Sequence, residues 1–293
     1  MQQLPCSDVE VEPLPGTAKP GSVYVLFEWP EAWPCDVMGD AALGEELTAK
    51  LAPMLEEHDA TLLLIRHPTR EGRNITDHHL YLVFADEAVT EVKHIDSPEE
   101  LLELDLSGPG RNGAERRERP LLLICTHAKR DRCCAAKGRP LLNELHARHP
   151  FGPGNDVVWE TSHIKGHRFA PTMLLLPWAY SFGRMNIEAT DAMLADASAG
   201  RYFVPGNRGR GTLGPAEQVA ELAVAAEVSG ARYGQFEVAA FDGGSVLVTD
   251  TAAGQAYEVQ LEQRPVSGVV DSCGKAPKES TAWVAVSVAP VSR

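Results

Sequence analysis

The sequence reads as an α/β protein: two βαβ–ββα halves with mixed sheets, followed by an antiparallel β extension. Three observations carry that reading. The apolar runs SVYVLFEW, ATLLLIR, PLLLIC and TMLLL have the length and the β-branched or aromatic content of buried strands. Between the first two runs, leucines recur at helical spacing. The order strand, helix, strand, hairpin, helix then occurs twice along the chain. That repeat is one of pattern only, without convincing residue identity. Such an order is the core of a thioredoxin-like fold. Strands joined through a helix should be parallel, with a right-handed crossover.

Taken in order, residues 1–21 are rich in Pro and Gly and are expected to be irregular. Residues 22–106 form the first half. SVYVLFEW (22–29) opens it as a strand. DAALGEELTAKLAPMLEEHD (40–59) places Leu43, Leu47, Leu51 and Leu55 on one helical face, and Pro53 is expected to kink or end that helix. ATLLLIR is the next strand. HLYLVFADEAVTEVKHI reads as two strands about a turn at Asp86-Glu87. In SPEELLEL, Ser97 stands three residues before Glu100, a capping-box pattern that starts a short helix. The Gly- and Pro-rich, charged stretch 107–119 reads as a linker.

The second half spans 120–230. PLLLIC is a strand. The helix CAAKGRPLLNELHARH must place Pro140 in its first turn or kink there. DVVWETSH is a strand, TMLLLPWAYSFGRM a hairpin turning at Pro177-Trp178-Ala179, and EATDAMLADASAG a helix ending at Gly200. After the basic loop RYFVPGNRGRGTLGP, Pro215 opens one more helix. Residues 231–293 hold four or five short alternating segments, the antiparallel extension.

Composition narrows the function. The chain has 293 residues, 44% hydrophobic and 23% charged, with a net charge of −14. An acidic surface repels phosphate backbones and anionic lipid, so neither nucleic acid nor a membrane is the expected partner. No apolar run approaches the roughly 20 residues a membrane helix needs, and the N-terminus lacks the features of a secretion signal. A cytoplasmic protein is expected. In that reducing setting six cysteines point to metal or thiol chemistry more than to a disulfide scaffold.

The chemistry concentrates in CTHAKRDRCCAAKGRP (125–140) and ETSHIKGHRFAP (160–171). Cys125 ends a strand, while Cys133 and Cys134 open a helix beside Lys129, Arg130 and Arg132, a setting that favours thiolate. His163 follows the next strand. If the two strand ends are adjacent, Cys125 and Cys134 meet His163 and His167, a C-x8-C-x28-H-x3-H set. Thiolates with imidazoles suit zinc or an iron–sulfur cluster. The spacing is not that of a zinc finger, and CTH has no second box to complete a Rieske site. Spacing alone leaves zinc and a [2Fe–2S] cluster both open. Cys6, Cys35 and Cys273 read as small buried hydrophobes. His78, His79, His94, His146 and His149 read as surface residues, and Trp159 and Trp178 as core.

The runs CTHAKRDRCCAAKGRPLLNEL and WETSHIKGHRFAPTMLLLPWAYSFGRM together resemble the sucrase/ferredoxin-like family. FEWPEAWPCD, LLLIRHP and GRGTLGPAEQVAE extend the likeness over residues 20–230. The resemblance implies a thioredoxin-like ferredoxin with a [2Fe–2S] cluster on two Cys and two His. Carried over, the ligands are Cys125, Cys134, His163 and His167, with Cys133 as rival to Cys134. By position, His127 is either a neighbour of the cluster or a solvent-facing residue, and Arg168 either tunes the potential or pairs with an acid. Pro171 falls where thioredoxin-like folds place a cis-proline, and is expected to be cis. No paired carboxylates suggest glycoside hydrolysis.

The leading expectation is therefore an electron carrier rather than an enzyme, exchanging electrons with a protein partner whose identity the sequence does not give. The alternatives are a thiol-based redox enzyme using Cys133 or Cys134, and a zinc-stabilised binding module. The loop GNRGRG is expected to be solvated rather than an anion site.

Overall fold

In the computed structural model, which describes residues 4–152 and 156–292, the chain divides into two compact units. One comprises residues 21–165 and 171–179. The other comprises the segment ending at Pro20, residues 166–170, and the chain from Tyr180 onward.

The first unit carries the repeated pattern. Strands β1 (Val23–Glu28), β2 (Ala60–Arg66), β3 (His78–Phe84) and β4 (Val89–Ile95) lie in the order β4-β3-β1-β2, and helix α1 (Glu45–Glu57) links β1 to β2. β1 and β2 are parallel, and β3 is antiparallel to both β1 and β4. A short β5 (Glu115–Arg117), formed within residues 107–119, extends the β4 edge. The second half repeats the arrangement. β6 (Leu121–Cys125) runs parallel to β7 (Val158–Thr161) through helix α2 (Arg132–Arg148), and β8 (Thr172–Leu176) is antiparallel to β6. The halves meet edge to edge where β2 pairs with β7, setting Arg66 directly opposite Glu160.

Alternation along β1 divides the interior. Tyr24 and Leu26 face a core holding Leu123, Cys125, Cys134 and Trp159. Val25 and Phe27 face another, holding Leu47, Leu51 and Leu55 of α1. Successive strand residues point to opposite faces of a sheet, so one strand serves both cores.

The other unit holds β9 (Tyr180–Gly183), α3 (Ile187–Ser198), β10 (Asn207–Arg210) and α4 (Pro215–Glu227), with β9 and β10 antiparallel. A separate sheet follows, β11 (Phe236–Val238), β12 (Ser245–Asp250), β13 (Gln255–Val269) and β14 (Lys278–Pro290), antiparallel and in chain order. α4 packs against it. The fold is thus α/β, with a large mixed sheet and this second, antiparallel one.

Several local expectations change. α1 starts at Glu45, not at Asp40, and Pro53 neither ends nor opens it. Pro140 lies in the middle of α2. Each proline costs the bond from its own missing N–H to the carbonyl four residues back. Those carbonyls belong to Ala49 and Ala136, which are exposed, so water can satisfy them. The short element after Ser97 is a 3-10 helix, and the Glu100 carboxylate accepts from the Ser97 backbone N–H at 3.1 Å. The hairpin turns at 177–179 as expected, but the cis bond there is Leu176–Pro177. The bond before Pro171 is trans, correcting the expectation for that residue.

Candidate metal centre

Three of the four expected ligands meet in one place. Cys125 is the last residue of β6, and Cys134 the third of α2. His163 lies two residues beyond β7. Because β6 and β7 are parallel, with Cys125 opposite Thr161, their carboxyl ends deliver Cys125 and His163 to the same edge. One donor atom from each of Cys125, Cys134 and His163 lies within 4.8 Å of the other two. Both cysteines are fully buried, and His163 is partly exposed. Cys133 is not in this group. One helical step turns a side chain by about 100°, which separates it from its neighbour.

Helix α2 is held where it starts. Asp131 caps it, its Oδ1 accepting from the Cys133 N–H at 2.8 Å. An Asp just before an apolar helical run is a recognisable capping signal, although the sequence reading passed over it. Gly138, one turn further on, lets the helix approach the strand. A Cβ there would stand 2.2 Å from the carbonyl oxygen of Cys125. Only glycine fits against that backbone atom.

The two sulfurs behave as one acid. Cys125 is held well below the usual thiol range, first by the hydrogen that the Cys134 thiol donates to it. Hydrogen bonds from His163 and from the His127 backbone N–H add to this against the cost of burial. Cys134 is pushed the other way, because its hydrogen is committed to Cys125, because it is buried, and because Cys125 and Asp131 are negative neighbours. The shared hydrogen favours a thiolate on Cys125 and a thiol on Cys134. A bound metal ion would take the place of the shared proton, since thiolate is the ligating form.

Around this group the structure places the remaining candidates. His127 is buried, and its Nε2 donates to the Pro34 carbonyl at 2.6 Å; it does not face solvent. His167 belongs to the other unit, where its Nε2 lies 2.6 Å from the Asp271 carbonyl and 2.7 Å from Ser272 Oγ. A carbonyl only accepts, so Nε2 carries the hydrogen and Nδ1 keeps the lone pair that a metal could use. Arg168 pairs with Glu12, at 2.5 and 3.1 Å. The basic loop is not simply solvated. It contributes β10, and Arg208 is buried, stacked over Phe169 at 4.9 Å and hydrogen-bonded to Thr17. Among the histidines read as surface residues, His78 is buried, His79, His146 and His149 are partly buried, and His94 is exposed. Cys35 is exposed rather than buried.

Sequence reasoning missed a polar knot beside the site. The Glu160 carboxylate, 1% exposed, accepts from Arg66 through two bonds of 3.0 Å and from Arg139 at 2.9 Å, and Thr126 Oγ1 also donates to it. Thr126 directly follows Cys125, so this buried ion pair anchors the segment that carries the thiolate.

Residues 14–209 match the sucrase/ferredoxin-like family. The chain belongs to the sucrase/ferredoxin-like family. Comparison with curated proteins and with solved structures returned no match. Family membership suggests a redox or ferredoxin-like role. The donor chemistry agrees with it: buried thiolate and imidazole can bind a metal ion, and they suit iron–sulfur or zinc over oxygen-seeking cations. No helix is long and apolar enough to cross a membrane among the described residues.

Proposed function

We propose that this chain is an electron carrier holding a [2Fe–2S] cluster on Cys125, Cys134, His163 and His167, in a half spanning residues 120–230. The observation that carries the reading is the convergence of two buried cysteines and His163 at the ends of two parallel strands, in a chain of this family. When bound, such a cluster supplies one-electron transfer. The chain's own residues do the rest. Cys125 favours the thiolate form, and Cys134 would lose its hydrogen on loading. His167 is fixed in one tautomer, because the Asp271 carbonyl accepts from Nε2 and leaves Nδ1 to coordinate. The apolar core around Cys125 and Cys134 excludes water from the sulfurs.

Neutral imidazoles in place of two thiolates make a cluster less negative. Its potential should therefore lie above the roughly −400 mV of plant-type ferredoxins. An imidazole ligand can lose its second ring hydrogen on oxidation, and because the Asp271 carbonyl retains that of His167, His163 is the ligand that would do so. The potential should accordingly fall with rising pH, by up to about 59 mV per pH unit for one proton per electron. Voltammetry of the wild type and of His163→Cys between pH 6 and 9 tests this. The slope should shrink, and the potential drop, in the variant. A flat wild-type profile would count against His163 as a ligand. The reading is of a carrier located in the cytoplasm, serving a protein redox partner.

A further inference from the structure

Two cysteines outside that site lie side by side in one compact unit. Cys6 and Cys273 are 267 positions apart in sequence, yet their sulfurs stand 3.5 Å apart. The Cys6 backbone N–H also points at the Cys273 sulfur, at 3.4 Å. Cys6 is buried and Cys273 partly exposed. A disulfide needs about 2.05 Å between sulfurs, so the pair has roughly 1.5 Å to close, within reach of a side-chain rotation. The backbone N–H favours negative charge on the more accessible sulfur, where an attacking thiolate is needed.

We propose that Cys6 and Cys273 form a reversible disulfide and so make a second thiol site, one that reacts with small disulfides such as oxidised glutathione. The Cys273 thiolate attacks one sulfur of the glutathione disulfide, forming a mixed disulfide and expelling one glutathione thiolate. The Cys6 thiolate then attacks the Cys273 sulfur, closing the protein disulfide and expelling the second. Two protein thiols are oxidised, one glutathione disulfide is reduced to two glutathiones, and the two hydrogens lost by the cysteines end on them. The reverse exchange reopens the pair.

The site also reaches a residue of interest. Asp271 and Ser272, which immediately precede Cys273, supply both groups that hold His167 Nε2. A backbone bond from Lys275 N to Ser272 O, at 3.1 Å, closes the turn carrying them. The linkage therefore sets the stiffness of the turn that orients the His167 ring. This last consequence, and only this one, rests on the cluster reading above.

The test is an exchange titration of the whole chain in glutathione buffers of graded oxidation, quenched by alkylation and mapped by mass spectrometry. It is run on metal-loaded and metal-stripped protein side by side. Wild type should gain a Cys6–Cys273 link, with a mass lower by two hydrogens and no retained glutathione. Cys6→Ser should stop one step earlier and carry a single glutathione on Cys273, and dithiothreitol should reverse both. A link in the stripped protein supports the thiol site even where the cluster reading fails. Glutathione on exposed Cys35, with Cys6 and Cys273 still fully alkylated, would overturn it, as would a Cys6→Ser chain that carries no glutathione on Cys273.

Discussion

Replacing Gly138 with alanine should push α2 off β6 and open the candidate centre. The added Cβ would sit 2.2 Å from the Cys125 carbonyl oxygen and 3.3 Å from its carbon, when side chains do not approach within 3.0 Å. The obstructing atom is backbone in a buried strand, so no rotamer can relieve it, and the helix must retreat by close to an ångström. Overpacking of this kind costs about 1–3 kcal/mol, and a clash with fixed main chain belongs at the upper end. Alanine's better helix propensity returns about 1 kcal/mol. The net loss is about 2 kcal/mol, which lowers Tm by roughly 4–8 °C in a unit of this size. The same retreat draws Cys134 away from Cys125, so metal content should fall together with stability. Thermal unfolding followed by circular dichroism, with metal analysis of the same samples, reads both. Gly152→Ala, where a Cβ meets nothing within 4 Å, is the control. A Gly138→Ala protein with wild-type Tm and wild-type metal content would refute the argument that the glycine sets the cysteine pair.

Glu160→Gln should cost about 3 kcal/mol in urea unfolding, because it leaves the Arg66 guanidinium buried with only the more exposed Glu71 as a charged partner. Burial works against the Glu160 charge, but Arg66 outweighs it and holds the carboxyl below the usual range. Its contribution to stability is therefore complete above about pH 4.3 and is lost as pH falls further; in Glu160→Gln that loss should be absent. His67 works in a different window. Burial, then the charge of His146, lowers it to about 4, and its Nδ1 accepts from the Thr69 N–H at 3.2 Å. The unfolded chain takes up a proton below about pH 6.5 and the folded chain does not, so stability should decline from there to pH 4 by about 3 kcal/mol. In His67→Gln this acid limb should flatten, and an unchanged limb would remove His67 as its source. Cys133→Ser should retain bound metal and Cys134→Ser should lose it, and equal loss in both would mean that the helix start, not the Cys134 sulfur, matters.

Legibility followed locality. Strand runs, the Leu47, Leu51 and Leu55 spacing of α1 and the hairpin turns rest on near-neighbour chemistry and stand in the structure as read, whereas Leu43 lies in the turn before the helix. Cys125, Cys134 and His163 were legible because a βαβ unit brings its strand ends together by topology alone. What depended on distant partners was not. Nothing near His67 or His78 in sequence shows that the second half or Glu28 will cover them. Glu160 reads as one polar residue in an apolar strand until Arg66 stands opposite it. Pro53 was expected to kink or end its helix and Pro140 to open or kink its own, because local rules cannot see that the carbonyls they orphan face water. Cys6 and Cys273 looked like isolated small hydrophobes, since only folding brings the two ends of the chain together.

The most direct test of the central claim is the metal content and visible spectrum of the chain purified without oxygen. The account expects a red-brown protein with about two iron and two sulfide per chain, its spectrum altered in His163→Cys and its colour lost in Cys125→Ser. A colourless protein holding one zinc, unchanged in its metal when His163 or Cys125 is replaced, would contradict it.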